Sequence, residues 1–252
     1  MTIKTDLQHF YDYEAKKYYE TRKKFRKEGE RILEILHQRT SAHPGEKISI
    51  LEFWSGSGRL TSYLSEHFTE KFSYVGVDFS KALINYAKQD NPKMKFIHED
   101  ITEFIVRQKQ ETFHIVIGTA SFQHIPSFRE RLFLMKHFYR ILHYDGLLIM
   151  TNRSYSYRFL KRFRKEMLLS LGKRLITLGK TSRRDIFLPR TSRGKTKKRY
   201  YHIFNLKELK KLTDFSGLKE ESLHYLDDQG HQTLDRRQAK NSLLVAKKTP
   251  IE

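Results

Sequence analysis

A short apolar run, Ile48-Ser-Ile-Leu-Glu-Phe53, ends in Trp54-Ser-Gly56-Ser-Gly58, and a helical pattern resumes at Arg59. Glycines in such a turn let the backbone bend tightly and approach a ligand, and the helix behind them offers free N–H groups. Asp78 stands 20 residues after Gly58, at the end of the next apolar run. A carboxylate there can take both hydroxyls of a ribose, or it can cap a helix beside Ser80. Glu99 and Asp100 end the third run in the same way. A carboxylate there can accept a base amino group, Asp100 being the better placed, or cap the helix that follows. No paired carboxylates, Ser/His/Asp set or metal-ligand spacing accompanies them. Zero cysteines exclude disulfides and thiolate zinc sites. Of the 12 histidines, His98 and His114 alternate with apolar residues and read as packed.

The elements that must hold these residues alternate. Residues 10–38 read as a helix, from Tyr11, Ala15, Tyr18 and Tyr19 to Ile32, Leu33 and Leu36 at helical spacing, and Pro44 and Gly45 mark a break. Strands follow at Ile48–Phe53, Tyr74–Val77, Lys95–His98, Phe113–Ile117 and Gly146–Thr151. Helices lie between them, at Arg59–Phe68, from Ser80 to about Gln89, at Thr102–Lys109 and at Ser127–Leu142. The last of these carries Leu132, Met135, Phe138 and Leu142 on one face. Such alternation predicts a parallel sheet with helices on both faces. A helix at Leu206–Phe215 and two strands at Lys219–Leu226 and Ser242–Lys248 predict a terminal antiparallel pair. The expectation is one Rossmann-like, doubly wound domain with seven strands. Its parts are an N-terminal helix region over 1–45, a core over 46–151, a basic insertion over 152–200 and a C-terminal helix and strand pair over 201–252.

The chain has 252 residues and a formal net charge of +20. Residues 151–200 hold 17 Lys and Arg against Glu166 and Asp185, a net +15. A smaller cluster comprises Arg22, Lys23, Lys24, Arg26 and Lys27. Such localised excess is the footprint of a polyanion binder, nucleic acid before a membrane surface. The stretch Tyr155–Leu178 mixes Phe159, Phe163, Met167, Leu168 and Leu171 with cations, the pattern of a basic amphipathic helix. The 18 Phe and 14 Tyr argue against disorder and for an aromatic core. No apolar run reaches transmembrane length, and Met1–Phe10 lacks a secretory core. The composition is that of a soluble, cytoplasmic protein.

With these residues in view, the chain resembles the class I S-adenosylmethionine-dependent methyltransferases over roughly residues 10–151. Tyr11-x-x-x-Ala15-x-x-Tyr18-Tyr19-x-Thr21-Arg22 resembles their N-terminal lid helix, and Ile50-Leu-Glu52-Phe-Trp-Ser-Gly56-Ser-Gly58-Arg59 their first motif. Val77-Asp78-Phe79-Ser80, His98-Glu-Asp100 and Ala120-Ser-Phe-Gln-His124 resemble the later ones. The resemblance implies S-adenosylmethionine as cofactor. Glu52, Gly56, Gly58, Asp78 and Phe79 would hold its methionine and ribose parts, and Asp100 and Ile101 would flank adenine. One departure stands out: Trp54 occupies the place of the motif's first glycine, where it either crowds the methionine end or points away.

Asp185-Ile-Phe-Leu-Pro189, a basic stretch and Arg199-Tyr-Tyr-His-Ile-Phe204 resemble the tRNA methyltransferases that esterify carboxymethyluridine at the wobble position. This implies tRNA as partner, with a small activating protein needed by some members of that family. A carboxylate nucleophile has a reference pKa near 4 and needs placement rather than a base. Arg199 and His202 would hold it, Tyr200 would donate or stack, and His124 would line the substrate pocket. Two other readings stay open: a methyltransferase for a small molecule, lipid or protein, and a non-catalytic RNA-binding module with a decayed cofactor loop.

Overall fold

The computed structural model describes residues 2–21, 26–154, 156–176, 182, 184–192 and 195–250. Helix α1 (Ile3–Thr21) and helix α2 (Arg26–Ala42) replace the single helix read over 10–38. Arg22, Lys23 and Lys24 of the early basic cluster lie outside the described residues. The two helices serve different partners. Leu7, Phe10, Tyr11 and Ala15 of α1 pack with Phe79 and Leu83, while Ile32, Ile35 and Leu36 of α2 join a cluster beneath the sheet.

The alternating units form as their patterns predict. They are β1 (Ile48–Phe53), α3 (Arg59–His67), β2 (Phe72–Asp78), α4 (Lys81–Asp90), β3 (Lys95–His98), α5 (Ile101–Val106), β4 (Phe113–Thr119), α6 (Phe128–Ile141) and β5 (Leu142–Arg153). Three helices begin on side-chain caps: Ser80 accepts from Leu83 N–H, Asp100 from Thr102 N–H and Ser127 from Glu130 N–H. The buried stripe of α6 is Leu134, Met135, Phe138 and Ile141, with Leu132 only half-buried. Strands β1 to β5 are parallel in the order β3-β2-β1-β4-β5.

Beyond β5, the basic segment folds as α7 (Tyr157–Arg162), α8 (Arg164–Ile176) and a separate antiparallel hairpin of β6 (Asp185–Ser192) and β7 (Lys195–His202). It has its own small core of Phe159, Ile186, Leu188, Tyr201 and Ile203, with Phe163 and Met167 against it. The described cations of the segment therefore decorate a packed unit. Helix α9 (Leu206–Ser216) follows, then β8 (Lys219–Leu226), a two-residue β9 (Gln232–Thr233) and β10 (Asn241–Lys247). Strand β10 inserts antiparallel between β5 and β8, and β9 pairs with β8 at the edge. The main sheet thus has eight strands, one more than expected. The extra strand arises because the polar turn after β8 folds back for two residues, too few to leave a periodic trace. The expected packing of the two strand histidines holds only in part. His114 is half-buried, but His98 is exposed at the end of the edge strand β3.

Candidate active site

The carboxyl ends of β1, β2 and β4 converge on the turn after β1. Gly56 (φ +57°) and Gly58 (φ +74°) adopt left-handed conformations, which glycine enters without a Cβ penalty. A Cβ on Gly58 would meet the Asn91 side chain at 3.0 Å and Phe96 at 3.1 Å, whereas one on Gly56 would face open space. Gly58 is therefore required by packing, and Gly56 leaves the loop open on one side.

Glu52 is buried and accepts a hydrogen bond from Tyr74 Oη. Burial pushes its carboxyl up to about 8, although Tyr74 and the charge of Arg59 pull the other way. Asp78 accepts from Gly56 N–H and Ser80 N–H, each at 2.8 Å. Burial also raises this carboxyl, to about 6, against the pull of the two amides. A carboxylate that already orders the loop keeps further lone pairs for a ligand. Phe79 is buried against Trp54 and Tyr11, with ring centroids at 6.3 and 6.0 Å.

Helix α1 lies over this end of the sheet. Lys4 pairs with Asp100 at 2.8 Å, Gln8 Nε2 donates to Phe79 O at 3.0 Å, and Asp12 accepts from Ser80 Oγ at 2.6 Å. Asp100 is thus both the α5 cap and the partner of a cation from α1. Ile101 is fully buried in the main core, so its side chain presents no surface to a base.

The four residues expected to handle substrate divide into two groups. His124 is buried beside Tyr11 and the hairpin. Its Nδ1 lies 3.0 Å from Tyr200 O, and its Nε2 lies 2.9 Å from Tyr11 Oη. A carbonyl only accepts, so Nδ1 carries the proton and Nε2 accepts from the tyrosine. Arg199 is buried between Phe10 and Tyr201, its guanidinium carbon 4.9 and 5.1 Å from the ring centroids. It also hydrogen-bonds Tyr11. Among the described residues it has no carboxylate partner. Arg199 and His124 therefore meet at Tyr11, under α1.

Tyr200 and His202 belong elsewhere. Tyr200 Oη lies 2.7 Å from Asp185 Oδ1, and His202 places Nδ1 2.6 Å from Asp185 and Nε2 2.9 Å from Glu208. Arg131 and Arg184 also reach Glu208, at 3.3 and 2.7 Å. Burial alone would raise both carboxyls, but the hydrogen bonds and charge of His202, joined by Tyr200 at Asp185 and by Arg131 and Arg184 at Glu208, together hold them below their ordinary values. This buried network ties the hairpin to α6 and α9, and both polar ends of His202 are committed to it. Sequence reading missed Asp185, Glu208 and Arg131 as its other members. Its one local signal is Asn205-x-x-Glu208, where Asn205 caps α9 and accepts from Glu208 N–H at 2.9 Å.

A cavity of about 580 Å³ opens beside this end of the sheet, lined in part by Tyr11, Arg59, Ala120, Gln123, Arg153 and Tyr201. Its walls come from α1, the start of α2, the start of α3, the ends of β4 and β5, the hairpin, and the end of β8 with the turn leading to β10.

Residues 50–146 match the family model of a methyltransferase domain. No curated protein matches the chain. Solved structures share the fold. An S-adenosylmethionine-dependent methyltransferase from Methanosarcina mazei superposes with a TM-score of 0.67 at 19% identity, over 86% of this chain and 98% of that one. Magnesium protoporphyrin IX methyltransferase from Synechocystis, solved with bound S-adenosylhomocysteine, gives 0.62 at 13% identity over 98% and 100%. A methyltransferase in complex with the Haloferax volcanii Trm112 activator gives 0.57 at 14% over 88% and 93%. The chain thus carries a methyltransferase-domain match over residues 50–146 and shares the fold of S-adenosylmethionine-dependent methyltransferases.

The residues present fit that cofactor. Ser55 Oγ, Ser57 Oγ and Trp54 Nε1 are buried around the loop with no hydrogen-bond partner among the described residues, and Gly56 faces open space. Glu52 suits an ammonium group and Asp78 a diol. Among the described residues no cluster suits a metal ion, and no helix is long and apolar enough to cross a membrane.

Proposed function

We propose that this protein methylates tRNA, esterifying the carboxylate of a carboxymethyluridine at the wobble position. The observation that carries the reading is Arg199. A guanidinium is always charged, and burying one without a counter-ion is unfavourable unless a ligand supplies the anion. Arg199 is such a cation, beside aromatic rings and next to a cavity of nucleoside size. An aromatic-lined pocket with a fixed cation suits a splayed base bearing an anionic group.

The bound cofactor supplies an electrophilic methyl group on a sulfonium. Glu52, Asp78 and the Gly56 turn would hold it, with Phe79, Asp100 and the Ile101 backbone toward adenine. Arg199 holds the substrate carboxylate, which needs no base at neutral pH. His124 fixes the Tyr11 hydroxyl that positions Arg199. Tyr200 and His202 act at one remove, by bracing the strand that carries Arg199. The basic segment over 152–200 would meet the tRNA backbone. A small activating protein is a further candidate partner, in the manner of the Haloferax complex.

The test offers labelled S-adenosylmethionine with bulk tRNA from cells lacking this protein, followed by mild base. Label released as volatile methanol supports the ester. Base-stable label moves the target to a base or ribose atom. No label in tRNA, with or without a candidate activator, defeats the tRNA reading.

A further inference from the structure

Trp54 carries two unfavourable features that packing alone does not explain. Its φ is +53°, a conformation that is a genuine outlier for a bulky side chain. Its indole N–H is buried without a partner among the described residues, and such donors are rare in native proteins. The ring itself is well packed, edge-on to Phe53 at 5.9 Å and Phe79 at 6.3 Å, and it joins the main core to the cluster beneath α1. A phenylalanine would supply the same apolar contact. What packing leaves unaccounted for is the N–H and the strained backbone that aims it. Strain of this kind gathers at ligand sites.

The position narrows the ligand group. Trp54 follows Phe53 and Glu52 at the start of the glycine turn. Glu52 and Asp78 are both acceptors, suited to an ammonium and to hydroxyls. Glu52, once an ammonium has drawn off its proton, cannot hold an anion, and neither can the Asp78 carboxylate. The amino-acid end of the cofactor bears one, its α-carboxylate, which needs donors. Near the turn, the donors without partners are Trp54 Nε1 and the hydroxyls of Ser55 and Ser57. The hydroxyls can rotate to other acceptors, whereas the indole N–H is fixed by its packed ring.

We propose that Trp54 is a specificity-determining residue of the cofactor cradle, its indole N–H donating to the α-carboxylate of bound S-adenosylmethionine. The residue that replaces the first glycine is then a working part of the cradle rather than a sign of decay. The proposal rests on the cofactor and is independent of the tRNA reading.

Trp54 is the chain's only tryptophan, so its emission reports on this one position. The experiment titrates the protein with S-adenosylhomocysteine and with 5′-methylthioadenosine, which keeps the nucleoside and thioether but lacks the amino-acid end. The expected result is a saturable emission change with the first and little with the second. In Trp54→Phe, followed by calorimetry, affinity for S-adenosylhomocysteine falls about tenfold or more, as for a lost bond to a charged group. Affinity for 5′-methylthioadenosine is unchanged. An equal loss for both ligands overturns the proposal, as does no loss. Tighter binding of S-adenosylhomocysteine by Trp54→Phe or Trp54→Gly also overturns it, marking the indole as an obstruction. Should the variants fail to fold, equal emission changes with both ligands in the wild type overturn it. Failure of the wild type to bind S-adenosylhomocysteine at all removes the cofactor reading as well.

Discussion

Two ionisable residues carry the proposed chemistry, and each has a measurable signature. Glu52 keeps its proton in the folded state up to about pH 8, because burial disfavours the charged form. In the unfolded chain it ionises near 4.5. Between those values the folded state binds more protons, so stability falls as pH rises. One group contributes at most about 1.4 kcal/mol per pH unit. Thermal melts of Glu52→Gln from pH 5 to 8.5 are expected to lose that slope relative to the wild type. Binding the cofactor's ammonium would draw the carboxyl down, so S-adenosylhomocysteine affinity is expected to strengthen toward pH 8 in the wild type and not in the variant. Arg199 shows the opposite economy. Burial costs the Arg199 guanidinium its hydration, but the Tyr11 hydrogen bond and the neighbouring tyrosines favour its charged form, so Arg199→Met, which keeps length and apolar volume but gives up those contacts, is expected to melt within a few degrees of the wild type. Methyl ester formation is expected to drop by two orders of magnitude or more, roughly the loss of a charged contact at the reacting group. A variant that melts much lower would make Arg199 a structural residue.

At the level of elements, the parallel core was legible in part because two of its strands lead into a residue with a second duty. Asp78 closes β2 and receives two loop amides, and Asp100, two residues beyond β3, caps α5. Such residues mark a boundary and a site at once. The glycine turn was legible for the same reason. The hairpin was not. Its partners Asp185, His202 and Glu208 are scattered in sequence and meet only through tertiary packing, so Arg199, Tyr200 and His202 read together as site residues. Alternation along β7 separates them. Arg199 and Tyr201 face Phe10 and His124, while Tyr200 and His202 face Asp185. The division is testable. His202→Ala leaves Asp185 and Glu208 facing each other's charge in a buried network, and it is expected to cost about 3 kcal/mol in urea or thermal unfolding. Affinity for S-adenosylhomocysteine is expected to stay within twofold of the wild type. A loss of cofactor binding with unchanged stability would return His202 to the site.

For the whole molecule, the asymmetry of charge joins the two halves of the chemistry. The segment over 151–200 carries +15 of the chain's +20, and its described residues pack around an apolar core of their own. The same hairpin touches α1: Arg190 pairs with the buried Glu14 at 3.2 Å, and Lys197 lies 4.0 Å from the Tyr13 ring centroid. A polyanion lying along the basic unit is therefore in mechanical contact with the helix that covers the cofactor end of the sheet. The electrostatic part can be measured apart from the chemistry. Affinity for a phosphate backbone falls linearly with the logarithm of salt concentration, by about 0.7 to 0.9 per phosphate neutralised. Lys161, Lys165 and Lys198 are exposed on this unit, away from the cofactor loop. Replacing all three by Gln is expected to lower the magnitude of the tRNA salt slope by about 2, with S-adenosylhomocysteine affinity unchanged. An unaltered slope would place the tRNA on another face. The surplus charge of this segment would then oppose its own packing without a partner to relieve it.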